Sequence, residues 1–358
     1  MAGQKRIQRS FLYFILLLLT LAAGVALGEQ ASPDLQYLLV LQGVRQSADA
    51  WLTVLLQLFT FLGDAAVPML VAAVLFWSVD ERAGVRVLML DAVGHCLNQL
   101  IKITACVYRP WIRDARIVPA SAALKTATGY SFPSGHCANA GAWTIGLSAY
   151  LKDKGVKKAV WIASTAALAL LWLLVGFSRN FLGVHTPQDV GVMILLMIPL
   201  SFGCEKALRW TEKGGAREWI FSGVCALIAV ALVSYACLKS YPADYDANGA
   251  LLVDSALMIR DSFSTAGLML GFAAGWFLSR RYIHFQRQGK PAVRILRSVL
   301  GCAIVLLMEL FLKAPLAGLL GAQWGRFVLA ALETLCVLAL YPLCIRALQR
   351  RRQSAVAA

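Results

Sequence analysis

Long apolar runs recur along this chain and are separated by short segments that carry most of its charged residues. A helix of ~20 apolar residues is long enough to cross the hydrocarbon core of a bilayer. By that measure the chain has about ten membrane spans. Their approximate ranges are 10–28, 50–78, 84–106, 134–151, 158–177, 187–205, 218–238, 264–279, 294–313 and 326–346. The pattern therefore predicts an all-α, polytopic integral membrane helical bundle.

The first apolar run could be either a membrane anchor or a signal peptide. Lys5, Arg6 and Arg9 precede it, as basic residues precede the apolar part of a secretory signal. Its apolar part is longer than is usual for a signal peptide, and no clear cleavage site of small residues follows it. We therefore interpret residues 10–28 as a retained anchor.

Composition and charge support a membrane protein rather than a nucleic-acid-binding one. The chain is 59% hydrophobic with a mean hydropathy of +0.67, and its net charge is +15. Such a charge would suggest a nucleic-acid partner in a soluble protein. Here the cations lie in alternate short loops, as the positive-inside rule describes for cytoplasmic loops. The basic groups are Lys5/Arg6/Arg9, Arg82/Arg86, Lys152/Lys154/Lys157/Lys158, Lys206/Arg209/Lys213/Arg217, Arg280/Arg281/Arg287/Lys290 and Arg350/Arg351/Arg352.

This alternation predicts that both termini are cytoplasmic and that the protein resides in the plasma (inner) membrane. No nucleic-acid partner is expected, and the surrounding partners are membrane lipids. The nine cysteines are scattered mostly through apolar segments, so buried free thiols are the simplest interpretation. The oligomeric state stays open.

Three short polar runs lie at span ends on the predicted non-cytoplasmic face. They are Lys102 with Arg109-Pro110, then Pro133-Ser134-Gly135-His136, and then Ser178-Arg179 with His185 and Asp189. Together they supply three fixed cations, two histidines and one carboxylate. Cations and helix N-termini stabilise the charge of a phosphoryl group, and an oriented histidine can attack it. The three runs together therefore predict a phosphate-handling site.

Helix-end chemistry offers a second explanation for several of these residues. Ser134 is a good N-cap, and Gly135 permits the close backbone approach that a bound anion needs at a helix N-terminus. Thr186 and Pro187 are typical of an N-cap and first helical residue, which places Asp189 in the first turn. An ordinary cap therefore explains Ser134 or Asp189 as well as catalysis does. In the functional alternative, Asp189 accepts a hydrogen bond from His185 and orients its ring.

A polar stripe precedes the first run within the membrane. Asp91, His95, Asn98 and Lys102 recur at spacings of four, three and four residues, so they share one helix face. Such a stripe should face the protein interior or a wet cavity. For Asp91 and His95 an interhelical network is the simpler interpretation, whereas Lys102 can place a cation beside the external loop.

The three runs resemble the type 2 phosphatidic acid phosphatase superfamily over about residues 60–205. This superfamily includes lipid phosphate phosphatases and glucose-6-phosphatase. The resemblance implies a six-helix core and a mechanism that needs no metal and no cofactor. It further implies that His185 attacks phosphorus to form a phosphohistidine, that Asp189 orients and stabilises its ring, and that His136 protonates the leaving oxygen and then activates water. The residues implied to hold the phosphate oxygens are Lys102, Arg109, Ser134, Gly135 and Arg179.

On this basis we divide the chain into three parts. Residues 1–49 are an N-terminal anchor helix and external segment, 50–206 are the phosphatase core, and 207–358 are additional C-terminal membrane helices. The expected substrate is a lipid phosphate or lipid diphosphate on the non-cytoplasmic face. The alternatives are a sugar-phosphate phosphatase, an anion or lipid transporter, and a silent lipid-binding scaffold. The chain length and the long C-terminal membrane part resemble glucose-6-phosphatase and the sphingosine-phosphate phosphatases more than the short bacterial enzymes. The glucose-6-phosphatase branch tends to lack the residue at Asp189, which weakens the sugar alternative.

Several other charged residues have open roles. Glu309 and Glu333 lie within predicted spans, where they could contact substrate or pair with Lys313 or Arg326. Asp64 follows Gly63 as in the family's early helix, and we interpret it as structural. Three cations of the loop between the first two runs could recognise phosphate or simply be solvated; they are Arg113, Arg116 and Lys125.

Overall fold

The structure is a computed structural model that describes residues 32–48, 50–124, 126–283, 287 and 289–357. Throughout these residues the regular structure is helical, which confirms the predicted all-α class. The predicted first span, 10–28, and Lys125 lie outside the described residues. The helices are α1 Ser32–Ser47, α2 Ala50–Phe61, α3 Ala66–Val74, α4 Glu81–Ala105, α5 Pro110–Arg113, α6 Ser121–Leu124, α7 Gly135–Asp153, α8 Lys158–Phe181, α9 Pro187–Thr211, α10 Ala216–Leu238, α11 Ser255–Tyr282, α12 Pro291–Leu335 and α13 Tyr341–Ala357, with π turns at Leu75–Val79 and Cys336–Leu340.

Helical segments long and apolar enough to cross a membrane account for much of the described chain. There are five by length and composition, namely α8, α9, α10, α11 and the stretch Pro291–Arg351. A sixth arises if α2 and α3 form one broken span. Helices α4 and α7 occupy the predicted third and fourth spans and carry Lys102 and His136 of the predicted site. The exact number of spans stays a prediction.

The predicted second span is broken by a sharp bend. Helix α2 and the helix beginning with α3 are inclined at 57° to each other across a short break. Two side chains of α7 bind the carbonyls at this break: Trp143 Nε1 donates to Leu62 O at 3.0 Å and Asn139 Nδ2 to Gly63 O at 2.7 Å. A Cβ on Gly63 would lie only 2.9 Å from the Cβ of His136. The bend therefore depends on a close approach to α7 that only glycine permits.

Helix α4 lies at the centre of the described bundle and packs against α3, α7, α9 and α11. Both of its ends are tied to neighbouring elements. At the cytoplasmic end predicted above, buried Arg86 binds Asp153 at 2.5 Å and Glu205 at 3.0 Å. These contacts join α4 to α7 and α9, so cations counted by the positive-inside rule also hold the core together.

The last two predicted spans form a helical hairpin inside α12. Gly321 has non-helical angles of φ 80° and ψ 164°. A Cβ on Gly325 would lie 2.7 Å from the backbone nitrogen of Ala317, although eight residues of straight helix would separate them by about 12 Å. Arg326 also reaches back to Glu309 at 2.9 Å. The segment therefore reverses direction at Gly321, as two separate spans require.

Helix α1 is a feature that the apolar pattern did not predict. It lies within the region assigned to the anchor and external segment, and its mixed composition gives no membrane signal. Arg45 Nη1 donates to Phe181 O at 2.7 Å, and the same guanidinium donates to Val118 O. Helix α1 thus contacts the loop that contains Val118 and the end of α8.

The close approach at Gly63 is testable by adding a single methyl group. We expect Gly63→Ala to lower the stability of the purified protein by about 1–3 kcal/mol, because the added Cβ meets α7 where it cannot be accommodated. The measurement is thermal unfolding in detergent. Gly223→Ala on α10 is the matched control, since its Cβ would meet nothing within 4 Å. Equal melting temperatures for the two variants would contradict this account of the bend.

Candidate active site

The three polar runs converge where α4 ends and where α7 and α9 begin. Backbone hydrogen bonds join them: Ser134 N donates to Asp189 O at 3.0 Å. Asn98 Nδ2 of the α4 stripe donates to Pro133 O, also at 3.0 Å. The residues predicted for one site are therefore assembled by contacts between their helix ends.

Asp189 is both a helix cap and the partner of His185. Thr186 and Asp189 form a capping box at the start of α9. The same Asp189 Oδ2 accepts from Ser131 Oγ at 2.5 Å and from Thr186 N at 2.8 Å, and it lies 3.2 Å from His185 Nδ1. Asp189 therefore caps α9 and contacts the ring of His185 at the same time, so the two explanations offered by the sequence are compatible. Because a carboxylate only accepts, this contact places a proton on Nδ1 and leaves the lone pair on Nε2.

Arg109 faces that second nitrogen of His185. Its Nη1 lies 3.1 Å from His185 Nε2 and also donates to Val184 O at 3.0 Å. The rest of the guanidinium binds Gly129 O and Thr128 O, at 3.0 and 2.8 Å. Three loop carbonyls thus hold the guanidinium beside the lone pair of the histidine.

Burial and neighbouring cations keep His185 neutral. Its side chain is 2% exposed, and this burial, followed by the charges of Arg109, Arg179 and Lys102, lowers the pKa of His185 well below 6.5. Burial and the nearby Arg179 lower the pKa of Arg109 to about 9, so its guanidinium still carries its charge at neutral pH. The arrangement is a neutral nucleophilic nitrogen among fixed positive charges.

Two buried side chains in the site have unpaired polar atoms. Arg179 is 0% exposed, and among the described residues its guanidinium makes one long hydrogen bond, from Nη1 to Thr126 Oγ1 at 3.4 Å. Its Nε and Nη2 have no hydrogen-bond partner, and neither does Ser134 Oγ. Ser134 occupies the N-cap position of α7, but its side chain makes no capping hydrogen bond. Buried polar atoms are normally paired, so these groups together fit an anion at the N-terminus of α7.

Lys102 reaches the same cluster from the outer end of α4. Arg109, Asp261, Asp189 and Arg179 are its charged neighbours. The ammonium is a compact charge on a flexible stem, so it can follow the oxygens of a bound phosphate.

Asp64 contacts the site, which the sequence interpretation did not anticipate. Its Oδ1 lies 3.1 Å from His136 Nε2 on the first turn of α7. The bend between α2 and α3 brings it there. The sequence did contain a signal for this bend: Asp64 directly follows Gly63 inside the apolar run 50–78, where a straight membrane helix rarely carries a carboxylate.

Two of the other charged candidates, Arg116 and Glu309, form ion pairs. Arg116 binds Asp114 at 2.7 Å on the exposed loop. Glu309 pairs with both Arg326 at 2.9 Å and Lys313 at 3.2 Å, as the pairing alternative proposed. Within the residues described by the structure, no group of three or more His, Cys, Asp or Glu side chains is arranged to hold a metal ion.

Comparison with protein families identifies the part of the chain that contains the three runs as a known domain. The PAP2 superfamily matches residues 83–212, which include all the predicted site residues. A second model, described as the transmembrane extension of PAP2 superfamily phosphatases, matches residues 263–353. The chain carries a PAP2 superfamily domain with its transmembrane extension. The resemblance inferred from the motifs is thereby confirmed.

Two curated phosphatases are similar to about half of this chain. Glucose-6-phosphatase 3 of Homo sapiens is 27% identical over 48% of this chain, and the match spans 49% of that protein. Phosphatidylglycerophosphatase B of Bacillus subtilis (strain 168) is 29% identical over 57% of this chain, and the match spans 97% of it. The chain thus matches about half the length of the human relative. No solved structure matches significantly.

The unpaired groups around Arg179 predict that inorganic phosphate stabilises the protein. A ligand that binds only the folded state raises its melting temperature by mass action. We expect phosphate to raise the melting temperature of the wild type and to have little effect on Arg179→Gln. The control is Arg116→Gln, which removes a cation from the loop but not from the cluster. A phosphate effect that survives in Arg179→Gln would contradict this assignment.

The cations around His185 also predict how kcat/KM depends on pH. The neutral form of His185 is the nucleophile, and the pKa of His185 lies below 6.5. We therefore expect kcat/KM to stay high down to acidic pH and to fall only as the pH drops through that lowered pKa. Removing one neighbouring charge raises this pKa. We therefore expect Arg109→Gln to move the acid limb of kcat/KM to higher pH, whereas Arg116→Gln leaves it in place. A shift to lower pH would show that Arg109 does not act on His185 in this way.

Proposed function

We propose that this protein is a membrane phosphatase that hydrolyses a lipid phosphate or lipid diphosphate on the non-cytoplasmic face through a phosphohistidine. The observation that carries the proposal is the pairing of His185 with Asp189 on one nitrogen and with Arg109 on the other. An oriented, neutral imidazole among cations is suited to attack phosphorus. The PAP2 domain supports the same reaction class.

In the first step, His185 Nε2 attacks phosphorus as the bond from phosphorus to the leaving oxygen breaks. The ring becomes positively charged, and Asp189 stabilises that charge through Nδ1. His136 gives a proton to the leaving oxygen, and Asp64 Oδ1, 3.1 Å from His136 Nε2, is the carboxylate that contacts the ring during this transfer. The product alcohol, or the shorter phosphate from a diphosphate, then leaves.

In the second step, His136 takes a proton from a water molecule while the oxygen of that water attacks phosphorus. The phosphorus–nitrogen bond breaks, its electrons return to Nε2 of His185, and inorganic phosphate is released. The proton taken from water restores the acid form of His136. Both histidines therefore return to their starting states.

Positioning and charge stabilisation supply most of the catalysis in phosphoryl transfer. Lys102, Arg109 and Arg179 would surround the phosphate oxygens, with Ser134 and the backbone N–H of Gly135 at the start of α7. These groups are fixed by burial and by contacts to the loops, so little reorganisation is needed during the reaction. Uncatalysed phosphate-monoester hydrolysis can need up to ~10²¹-fold acceleration, which makes such preorganisation essential.

The proposed sidedness is supported by the two ends of α4. Arg86, in the basic group predicted to be cytoplasmic, precedes Lys102 by sixteen residues, or about 24 Å of helix. That distance is most of a hydrocarbon core of ~30 Å. If the basic end is cytoplasmic, the phosphate site opens near the opposite face.

A lipid substrate is supported by the membrane location and by the relative named phosphatidylglycerophosphatase B. A sugar phosphate is the second candidate, and the relative named glucose-6-phosphatase 3 favours it. Asp189 favours the lipid alternative, as the sequence analysis argued. Release of inorganic phosphate from a phosphate ester would distinguish either phosphatase from an anion transporter, which transports its ligand without hydrolysing it.

The covalent intermediate is testable with p-nitrophenyl phosphate, whose leaving group needs little protonation. We expect His185→Ala to abolish turnover and phosphoenzyme formation. His136→Ala should still form the intermediate but hydrolyse it slowly, so that acid-labile phosphate accumulates on the protein. The measurement is stoichiometric labelling with mapping of the modified residue. Full activity of purified His185→Ala would end this mechanism.

The substrate class requires a panel assay with the purified wild type. Phosphate release is compared for an isoprenyl diphosphate, phosphatidate, a sphingoid phosphate and glucose 6-phosphate. We expect at least one lipid to have a higher kcat/KM than the sugar phosphate. Preference for glucose 6-phosphate over every lipid would overturn the lipid assignment but leave the phosphatase proposal intact.

A further inference from the structure

Helix α1 contacts both external loops of the candidate site. It lies before residues 83–212, the part of the chain that the PAP2 model matches, and the mechanism proposed above uses none of its residues. The first loop runs from Arg109 to Ser131, and the second runs from Arg179 to Asp189. The contacts of α1 with these loops indicate what the helix does for the site.

The second half of α1 binds the backbone of both loops. Gln42 Nε2 donates to Arg116 O at 3.0 Å, and Gln42 Oε1 accepts from Val118 N at 2.7 Å. Arg45 binds the same loop and also donates to Phe181 O at 2.7 Å. These side chains therefore hold the first loop against the end of α8, where the second loop begins.

Asp34, in the first turn of α1, contacts the start of α9. Its carboxylate accepts hydrogen bonds from the backbone N–H of Gln188 and from the hydroxyl of Thr186. Gln188 is the second residue of α9, so its N–H has no acceptor within that helix. A carboxylate at this end also interacts favourably with the helix dipole. Asp34 therefore caps α9 from another helix.

Thr186 connects Asp34 with the carboxylate that contacts His185. Thr186 Oγ1 accepts from Asp189 N at 3.3 Å, and Thr186 N donates to Asp189 Oδ2 at 2.8 Å. A hydroxyl has one hydrogen, so donation to Asp34 leaves the lone pairs of Thr186 Oγ1 for Asp189 N. Asp189 Oδ2 is also the oxygen that lies 3.2 Å from His185 Nδ1. The cap and the ring contact therefore both depend on how the Thr186 hydroxyl is oriented.

A shared cation also places Asp34 close to Asp189. Arg113 on α5 is a charged neighbour of both carboxylates. Helix α5 begins directly after Arg109, whose guanidinium faces the other ring nitrogen of His185. Helix α1 is therefore near the elements that carry the partners of both ring nitrogens.

We propose that Asp34 is a positioning residue of the phosphatase, which acts through Thr186 on the first turn of α9 and so aims His185 Nε2 at phosphorus. Asp34 does not contact the reacting atoms, so it changes the rate of attack rather than the binding of phosphate. The inference rests on the proposed phosphatase activity. It makes α1 part of the catalytic apparatus, although the helix lies outside the matched PAP2 domain.

The test separates attack on phosphorus from phosphate binding in the purified full chain. Asp34→Asn keeps one acceptor oxygen for Gln188 N, but its NH₂ group cannot accept from the Thr186 hydroxyl. We expect it to lower both kcat/KM for p-nitrophenyl phosphate and the rate of phosphoenzyme formation about tenfold, because a misplacement of ~1 Å can cost about 10²-fold. The inhibition constant of inorganic phosphate should change by less than about twofold, since the cations that bind it are unaltered. Asp34→Ala should lower the rate further.

Asp246→Asn is the matched control. Asp246 is another acidic residue of the predicted external face, and its Oδ1 accepts from the backbone nitrogens of Asn248 and Ala250, each at 2.9 Å. It stabilises a turn between α10 and α11 instead of the start of α9. We expect this variant to keep the wild-type rates. Melting temperatures of all variants establish that they are folded.

A double-mutant comparison assigns the effect to Thr186. Thr186→Val removes the hydroxyl that Asp34 binds, so adding Asp34→Asn to it should not lower the rate of phosphoenzyme formation further. Thr186→Ser keeps a hydroxyl, and in this background Asp34→Asn should again lower the rate about tenfold.

Three outcomes would overturn the inference. They are wild-type rates in both folded Asp34 variants, an equal loss of rate in Asp246→Asn, and an equal effect of Asp34→Asn in the wild type and in Thr186→Val. In all three, the wild type still hydrolyses p-nitrophenyl phosphate and the proposed function stands. Absence of both turnover and phosphoenzyme in the wild type would instead reject the phosphatase, and this inference with it.

Discussion

The described structure depends on positive charge that is buried without enough negative charge to balance it. Arg109 and Arg179 lie inside the protein with Lys102 beside them, while Asp189 is the carboxylate that contacts His185. Removing such charges from water costs several kcal/mol each unless partners replace the lost hydration. Loop carbonyls satisfy Arg109, but Arg179 keeps two unpaired nitrogens. Under the proposed function, a bound phosphate would supply the missing negative charge and would offset the cost of burying these cations.

The same helix ends serve the fold and the chemistry. Asp189 caps α9 and holds His185 through one carboxylate oxygen, so losing it would disturb both the turn and the ring. At α7 the division is different. Ser134 has the backbone conformation of a cap but leaves its hydroxyl unbound, and Gly135 keeps the first turn open. One helix start is closed by its own side chains, whereas the other remains open to an anion.

Local spacing made much of the site predictable, and tertiary geometry accounts for the rest. His185 and Asp189 are four residues apart around a Thr-Pro helix start, so their contact follows from backbone rules alone. The contact between Asp64 and His136 does not, because it requires two helices to bend around Gly63 against a third. The reversal at Gly321 lies within residues 314–325, the connection that hydropathy left between the last two predicted spans, but only the non-helical angles of Gly321 locate it. Helix α1 was missed because its mixed composition gives neither a membrane signal nor a strong amphipathic pattern.

The contact between α4 and α11 joins the first half of the chain to its C-terminal helices. Gln99 Nε2, three residues before Lys102, donates to Met258 O at 2.9 Å and to Ser262 Oγ at 3.1 Å, both on α11. Most of α11 belongs to the transmembrane extension that the second family model matches. A substitution on α11 can therefore move the end of α4 and the Lys102 ammonium without replacing any residue of the candidate site, so the extension acts as a brace for one of its cations.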